Sequence, residues 1–246
     1  MKKKNALYEE FHKDRRLQKK IIDDNNFTYY YLIRLLKPYL SKVKHVLDIG
    51  SGVGTIDFYL ASKGIKVTGL EISEQAVELA KKNAKLFGLE KKITFINAAF
   101  PSKVPQNKYD LVILSEVLEH LRKDIEALRD IRQVLKPAGI LIITTPSQNA
   151  PLYRLGLLNK FDHEVGHLRR YSLIELLNIL EKNGYTIIAS GKQEGLLRNF
   201  FFTKSHSKII LKMVRGGITN IIIYVDKLFL YFFGESNIYI IATKTH

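Results

Sequence analysis

The stretch that decides the fold runs from residue 46 to residue 55 and reads Val46-Leu47-Asp48-Ile49-Gly50-Ser51-Gly52-Val53-Gly54-Thr55. Its first four residues have the pattern of a short buried strand, and three glycines at alternate positions follow it. A glycine loop between a strand and a helix lets the backbone approach a ligand where any Cβ would collide. A dinucleotide fingerprint would have glycine in place of Thr55, and a P-loop would have a lysine after its last glycine. The stretch therefore favours neither NAD nor ATP as the ligand.

A second signal lies at the end of the next predicted strand, residues 66–70, where Glu71 follows directly. Because parallel strands end at the same edge of a sheet, we expect Glu71 to lie beside the glycine loop. Its carboxylate can accept hydrogen bonds from both hydroxyls of an adenosine ribose. The small residues of Asn97-Ala98-Ala99, after the third strand, can border an adenine ring. The order of these motifs predicts a site for an adenosine-containing ligand.

The rest of the chain alternates apolar runs with amphipathic stretches. This alternation predicts an α/β fold with a parallel sheet covered by helices on both faces. Ser172 and Glu175 have capping-box spacing and predict the start of the last helix of that pattern. The predicted strands are 46–49, 66–70, 93–96, 111–114, 140–145, 185–189 and 237–243; the predicted helices end at 61 or cover 74–87, 121–135 and 172–184, with a turn at 136–139.

With residues 109–116 in the fourth strand, these motifs make residues 43–190 resemble the class I S-adenosylmethionine (SAM)-dependent methyltransferases. The resemblance implies a Rossmann-like, seven-stranded sheet and methyl transfer from SAM, whose sulfonium needs only alignment with a nucleophile. It implies that Asp48 and the loop glycines hold the methionine half, that Glu71 binds the ribose and that Ala98 borders the adenine. The full set of implied cofactor-binding residues is Asp48, Gly50, Ser51, Gly52, Gly54, Thr55, Glu71, Ile72, Asn97, Ala98 and Ser115.

Three polar residues follow the fourth strand. Glu116, Glu119 and His120 are spaced i, i+3 and i+4, so they share one face if a helix begins there. Two carboxylates and an imidazole suit a hard or borderline divalent cation. The pattern resembles the metal motif of ubiquinone-pathway O-methyltransferases and of small-RNA 2′-O-methyltransferases, which implies Mg²⁺ or a similar ion activating the acceptor hydroxyl. It is also typical of a strand-to-helix junction without metal, so both interpretations stay open.

A second polar cluster, residues 161–172, stands between the fifth strand and the capped helix. His163 and His167 are four residues apart and offer either a further metal ligand or a general base near neutral pH. Residues 166–169, Gly-His-Leu-Arg, resemble a stretch found here in many small-molecule methyltransferases. The alternative is that His167 and Arg169 only orient the loop. The candidates for removing a proton from the acceptor are His120, His163 and His167.

Two segments lie outside the predicted sheet. Residues 1–42 are predicted as an N-terminal helical arm, and residues 193–234 as a basic, aromatic helical insertion before the last strand. The SAM-binding domain is then formed by residues 43–192 and 235–246. The insertion has three interpretations: a subdomain that buries its own aromatics, a surface for an anionic membrane, or a platform for single-stranded nucleic acid. Nucleic acid is the less favoured partner, because the stretch 218–233 is strongly aliphatic.

Composition narrows the functional class. The 246 residues carry a formal net charge of +15 and no cysteine, which excludes disulfides, thiolate zinc sites and a cysteine nucleophile. The basic N-terminus lacks a following apolar run, so we expect no export signal and a cytoplasmic protein. The excess of positive charge suggests docking on the inner face of the membrane. Methylation of a hydroxyl on a small, apolar or membrane-associated acceptor is the predicted function, with RNA 2′-O-methylation or a non-catalytic SAM-binding subunit as alternatives.

Overall fold

Seven strands form one mixed sheet with the order β3-β2-β1-β4-β5-β7-β6, in which β7 is antiparallel to both of its neighbours. The computed structural model describes residue 9 and residues 17–101, 107–203 and 217–245. The seven predicted strands are confirmed, and each is longer than predicted: β1 His45–Ile49, β2 Lys66–Glu71, β3 Ile93–Asn97, β4 Tyr109–Ser115, β5 Leu135–Pro146, β6 Tyr185–Gln193 and β7 Asn237–Lys244.

Helices connect the strands, and two of them begin at serine side-chain caps. The Ser73 hydroxyl accepts a hydrogen bond from Ala76 N and caps α3. Ser172 and Glu175 form the predicted capping box of α7. The helices are α1 Tyr30–Leu36, α2 Thr55–Ser62, α3 Glu74–Leu86, α4 Asp124–Val134, α5 Pro151–Arg154, α6 Asn159–Val165, α7 Leu173–Lys182, α8 Leu196–Thr203 and α9 Gly217–Phe233, with 3₁₀ turns at Lys37–Tyr39 and Leu118–His120.

Both faces of the sheet are covered, as predicted, because side chains along each buried strand alternate between two cores. From β1, Val46 packs into one core, and Leu47 and Ile49 pack into the other. The first core includes residues of α1, α2 and α3, and the second includes residues of α4 and α7. This packing holds the carboxyl ends of β1, β2 and β4 together at one edge, where ligands bind in sheets of this type.

The prediction of a helical arm over residues 1–42 is wrong for residues 17–29, which form turns and irregular structure. Short polar side chains take the place of helical carbonyls there: Asp23 Oδ1 accepts from Asn25 N at 3.0 Å, and Asn26 Oδ1 accepts from Tyr29 N at 3.1 Å. Such local bonds compete with the helix. Residues 1–8 and 10–16 lie outside the described residues.

The predicted turn at 136–139 is present, although strand β5 begins before it, at Leu135. The pairing with β4 moves from Tyr109–Leu135 directly to Leu111–Ile140, so residues 136–139 bulge out of the ladder. Ala138 has a φ of 57°, so the chain bends within the strand, as at a bulge. The helical insertion before the last strand is confirmed, with α8 and α9 inside it. In the described part of the chain, no helix has the length and apolar character needed to cross a membrane.

Candidate active site

A cavity of about 730 Å³ opens at the carboxyl edge of the sheet, within the size range of small-molecule sites. The glycine loop and the ends of β2 and β4 form one part of its wall. The N-terminal segment, the 161–170 segment and the two ends of the insertion form the remainder. Its lining includes Tyr31, Asp48, Gly50, Ser51, Gly52, Glu71, Ile72, Ala98, Ser115, Glu116, His120, His167, Gln193, Glu194 and Asn237.

The glycine loop requires its glycines for conformation and for space. Gly50 has a φ of 80°, and a Cβ there would collide with Val117. Gly54 has a φ of 83° at the start of α2, and a Cβ would lie 2.8 Å from Phe58 Cζ. Gly54 and Thr55 do not line the cavity; the Thr55 hydroxyl donates to the Gln18 side chain at 3.1 Å. At Gly50 and Gly52 the loop thus presents backbone without side chains to the cavity.

Glu71 ties this loop to the start of α3. Its two carboxylate oxygens accept from Gly52 N at 3.0 Å and from Ser73 N at 2.8 Å. Burial raises the pKa of Glu71, although these backbone hydrogen bonds counteract the rise. Asn97 does not line the cavity: its Nδ2 donates to the carbonyls of Glu71 and Ile72 and so holds the end of β2. Ile72 and Ala98 do line the cavity.

Asp57 was missed by the sequence analysis. It lies in α2 with no exposed surface, and neither of its carboxylate oxygens has a hydrogen-bond partner within ordinary limits among the described residues. Burial and then the nearby Asp48 raise its pKa well above the ordinary range. Burial also raises the pKa of Asp48, to about 7. The side-chain contact with Asp57 lowers the pKa of Asp48, and the negative charge of Glu71 raises it further. The burial of two adjacent carboxyls therefore favours the protonated form of Asp57.

Replacing Asp57 with asparagine is therefore expected to stabilise the protein in the absence of SAM, and more strongly at pH 8 than at pH 4. A carboxyl with a raised pKa in the fold contributes full stability below its unfolded pKa, 3.8, and this contribution is lost as pH rises through the folded pKa. Asparagine does not ionise, so the variant loses none of this stability as pH rises. We expect the gain at pH 8 to be a few degrees, since about 1 kcal/mol corresponds to about 2–4 °C in a protein of this size.

Scanning calorimetry at both pH values measures this difference. Asp130→Asn, at a half-exposed position on α4, is the matched control. A lower unfolding temperature for Asp57→Asn at pH 8 would contradict the inference.

Glu119, His120 and His167 come together beside the glycine loop. Glu119 is fully buried; its Oε2 accepts from the Thr145 hydroxyl at 3.1 Å, and its Oε1 has no hydrogen-bond partner among the described residues. That oxygen lies 4.0 Å from His120 Nε2 and 3.8 Å from His167 Nε2. Burial and the charge of Glu116 raise the pKa of Glu119 well above its ordinary range. A positive charge at the neighbouring nitrogens would stabilise its ionised form.

The second nitrogen of each imidazole fixes the orientation of the ring. His120 Nδ1 lies 3.0 Å from the Gly166 carbonyl, and His167 Nδ1 lies 2.9 Å from Asp162 Oδ1. Both partners accept hydrogen bonds, so we assign the proton of each neutral ring to Nδ1 and the lone pair to Nε2. Despite the desolvation of Asp162, hydrogen bonds from Arg170 and His167 hold its pKa at about 2. Asp162 is therefore a fixed anion that positions His167.

Two of the predicted polar residues lie outside this cluster. Glu116 has a φ of 56°, so no helix begins there, and the shared face with Glu119 and His120 does not form. Among the described residues, the group that can hold a metal ion is instead Glu119, His120 and His167, whose ligand atoms all lie within 4.8 Å of one another. Glu116 faces the cavity, and its Oε1 accepts from Thr144 and Asn237 at 2.8 Å each. His163 is exposed and is not part of the cavity wall.

The comparison with known families agrees with this geometry. Residues 24–190 match a family described as a methyltransferase domain. The chain belongs to this family. It has the fold of the class I SAM-dependent methyltransferases, with the seven strands that the resemblance implied.

Named relatives of this methyltransferase cover part of it. It is 33% identical over 119 residues to the ubiquinone biosynthesis O-methyltransferase of Rickettsia canadensis, and 31% identical over 136 residues to that of Rickettsia prowazekii. These matches cover 48% and 54% of the chain and 49% and 53% of the relatives. The chain thus spans about half the length of the curated relatives that it matches.

Solved structures with the same fold cover most of the chain. A SAM-dependent methyltransferase from Archaeoglobus fulgidus matches with a TM-score of 0.61 at 21% identity, over 89% of this chain and 94% of that one. The magnesium protoporphyrin IX methyltransferase of Synechocystis, with bound S-adenosylhomocysteine, matches with a TM-score of 0.61 at 18% identity, over 98% and 94%. At these identities the likeness establishes the fold alone.

The cavity fits SAM on the evidence of its own residues. The glycine loop is a backbone cradle that a Cβ at Gly50 would disrupt, and the buried carboxyls of Asp48 and Glu71 suit a cationic ligand. Asp48 and residues 50–52 would hold the methionine half, and Glu71 the ribose. Ile72 and Ala98 line the wall where the adenine would lie.

Proposed function

We propose that this methyltransferase transfers the methyl group of SAM to a hydroxyl of a small molecule. The hydroxyl is activated by the cluster of Glu119, His120 and His167. The observation that carries the proposal is the buried, unpartnered Glu119 Oε1, which faces the Nε2 atoms of two oriented imidazoles. SAM supplies an electrophilic methyl group, so the protein has to align the acceptor and remove one proton.

In the simplest form of the reaction, an imidazole is the base. An acceptor hydroxyl within reach of Nε2 of His120 or His167 gives up its proton to that nitrogen as the oxygen attacks the methyl group. Glu119, 3.8 Å from His167 Nε2, then stabilises the imidazolium, and Asp162 keeps the ring in place. Arg170 holds Asp162 through hydrogen bonds of 2.6 and 2.8 Å. The arrangement resembles an oriented acid–base relay.

The same three residues are also suited to a divalent cation, which would lower the pKa of the acceptor hydroxyl. Each imidazole uses its Nδ1 on a carbonyl or a carboxylate, as metal-binding histidines commonly do. Two nitrogens and one carboxylate oxygen favour a borderline ion such as Zn²⁺ or Mn²⁺ over Mg²⁺, which prefers oxygen ligands. Because Glu116 is not in the cluster, the oxygen-rich site predicted for Mg²⁺ is not supported.

Methyl-labelled SAM, incubated with the purified protein and separate small-molecule, lipid and RNA fractions of cell extract, tests the proposal. The expected product is a labelled methyl ether in the small-molecule or lipid fraction, identified by mass spectrometry. Label on RNA ribose would favour RNA 2′-O-methylation instead, and label on nitrogen would overturn the assignment to a hydroxyl. SAM binding without transfer to any fraction would indicate a non-catalytic subunit.

We also propose that helix α9 docks this enzyme on an anionic membrane surface. The inner face of α9 is buried at Ile223 and Asp226, and the Asp226 carboxylate caps the start of α8 through Gly195 N and Arg198 N. The outer face is apolar and exposed. Its exposed side chains are Ile221, Tyr224, Leu228, Tyr231, Phe232 and Phe233.

Charge complementarity supports a bilayer as the occupant of this face. The chain has a net charge of +15, and the exposed Lys227 adjoins the apolar face. Residues 204–215 add Lys204, Lys208, Lys212 and Arg215 in sequence, although their structure lies outside the described residues. Basic residues beside an interfacial apolar helix face favour anionic lipid headgroups.

Replacing Tyr231 and Phe232 together with serine is expected to weaken binding to phosphatidylcholine vesicles with phosphatidylglycerol at least tenfold. Each buried side chain of this size contributes roughly 1.5–3 kcal/mol, and about 1.4 kcal/mol is tenfold in affinity. Vesicle sedimentation measures the loss of binding. The matched control is the double replacement of Leu86 and Ile174, which are similarly exposed on α3 and α7. Equal losses in both variants, or equal binding to neutral vesicles, would contradict this docking face.

A further inference from the structure

The mechanism above leaves unused four polar residues of the cavity wall: Glu116, Gln193, Glu194 and Asn237, here called the polar wall. They are contiguous. Gln193 and Asn237 are paired neighbours across β6 and β7, and Asn237 Nδ2 donates to Glu116 Oε1 at 2.8 Å. Glu194 follows Gln193 in the chain. Glu116 and Glu194 each have a φ of 56°, a conformation that residues other than glycine rarely adopt.

Two amide oxygens of the polar wall have no hydrogen-bond donor among the described residues. Gln193 is 4% exposed and Asn237 is 8% exposed, and neither Gln193 Oε1 nor Asn237 Oδ1 has a partner among the described residues. The orientation of the Asn237 amide follows from its bond to Glu116, because the flipped amide would direct oxygen against a carboxylate. Both bonds to Glu116 use Oε1, so its Oε2 remains available. A molecule with hydrogen-bond donors at this wall would therefore satisfy these oxygens.

One charge of the wall is compensated within the protein, and two of its acceptors are uncharged amide oxygens. Arg198, which is fully buried, donates to Glu194 Oε1 at 2.9 Å and so compensates that charge. The Glu116 carboxylate already accepts two hydrogen bonds from neutral groups, and the remaining oxygens belong to amides. Hydroxyl groups match such oxygens, whereas a hydrocarbon in contact with them would leave buried acceptors without partners.

We propose that the polar wall binds an acceptor with several hydroxyl groups, such as a sugar-like ring, whose other hydroxyls donate to Gln193, Asn237 and Glu116. This inference rests on the proposed transfer to a hydroxyl and narrows the acceptor: the part inside the cavity is polyhydroxylated, and apolar character belongs outside it. Gln193 and Asn237 would then set specificity, and the histidine cluster would carry out the proton transfer.

Saturation-transfer NMR on the full chain, loaded with S-adenosylhomocysteine, tests this assignment. The probes are myo-inositol, methyl glucoside and methyl galactoside as polyhydroxylated rings, cyclohexanol as a ring with one hydroxyl, and cyclohexylamine as a cationic ring. Two variants remove acceptors: Gln193→Met, which has a similar shape without the amide, and Glu116→Gln. Gln148→Met, at an exposed position outside the cavity wall, is the matched control.

We expect at least one polyhydroxylated ring to bind more tightly than cyclohexanol and cyclohexylamine. Gln193→Met should weaken that binding at least tenfold, and Gln148→Met should leave it unchanged. The inference is overturned if no polyol binds, if cyclohexanol or the amine binds as well, or if Gln193→Met has no effect. Affinity for S-adenosylhomocysteine in the same samples distinguishes failure of the cofactor site from failure of the polyol site. If the unmodified protein does not bind S-adenosylhomocysteine, the cofactor assignment itself is contradicted. If it binds S-adenosylhomocysteine but no polyol, this inference alone is contradicted.

Discussion

Replacing Glu71 with alanine is expected to weaken SAM binding by about 100-fold. A hydrogen bond to a charged group contributes about 1.5–3 kcal/mol, and about 1.4 kcal/mol is tenfold in affinity. The Glu71 carboxylate would lose its contacts with the ribose hydroxyls. It would also release Gly52 N and Ser73 N, which it now holds at 3.0 and 2.8 Å, so the glycine loop would lose its fixed shape.

Isothermal titration calorimetry with SAM and S-adenosylhomocysteine measures this loss. Glu71→Gln keeps one acceptor oxygen, so its affinity for SAM should lie between that of the unmodified protein and that of Glu71→Ala. Glu78→Ala, at an exposed position on α3, is the matched control for removing a carboxylate. Unchanged affinity in Glu71→Ala, with the protein still folded by circular dichroism, would overturn the assignment of the cofactor site.

Replacing His167 with alanine is expected to lower kcat by roughly 10²- to 10⁴-fold, the range that a general base contributes, while SAM affinity stays unchanged. His167 Nε2 faces Glu119 Oε1 at 3.8 Å, and Asp162 fixes the ring from the other side. The loss should therefore affect proton removal and not cofactor binding. The labelled-methyl assay with the acceptor fraction that gives product measures kcat.

His163→Ala provides a close control, because that histidine is four residues away, exposed and outside the cavity wall. Treatment with a strong chelator then separates the two forms of the mechanism. Activity that is lost and then restored by Mn²⁺ or Zn²⁺ assigns the cluster to a cation, and activity that persists assigns the proton transfer to the imidazole directly. Full activity in His167→Ala would contradict both.

The placement of Glu71 beside the glycine loop was predictable because it depends only on two neighbouring strands and the residues that end them. The glycine loop follows β1 and Glu71 ends β2, and parallel pairing of these strands fixes their relative position. Asp57 could not be found in this way, since an acid on a helix resembles a solvent-facing residue until packing buries it. The arm was mispredicted because residues 23–26 offer polar caps that compete with the helix.

The arrangement of the acceptor side could not be predicted, because it depends on long-range contacts that the spacing of residues in the sequence does not show. A left-handed backbone at Glu116 breaks the expected i, i+3, i+4 face, and His167 enters the cluster from a separate segment. Gln193 lies beside Asn237 only because β6 and β7 pair after the intervening insertion. The sequence contained each of these residues, but which of them meet is decided by the order of the strands.

A crystal structure of the protein with S-adenosylhomocysteine tests the central claim most directly, because it locates the reacting sulfur relative to the candidate base. We predict that the ribose hydroxyls lie within hydrogen-bond distance of Glu71 and that the sulfur faces the side of the cavity where His120 and His167 lie. A nucleoside bound away from Glu71, or a sulfur directed away from both histidines, would contradict the account.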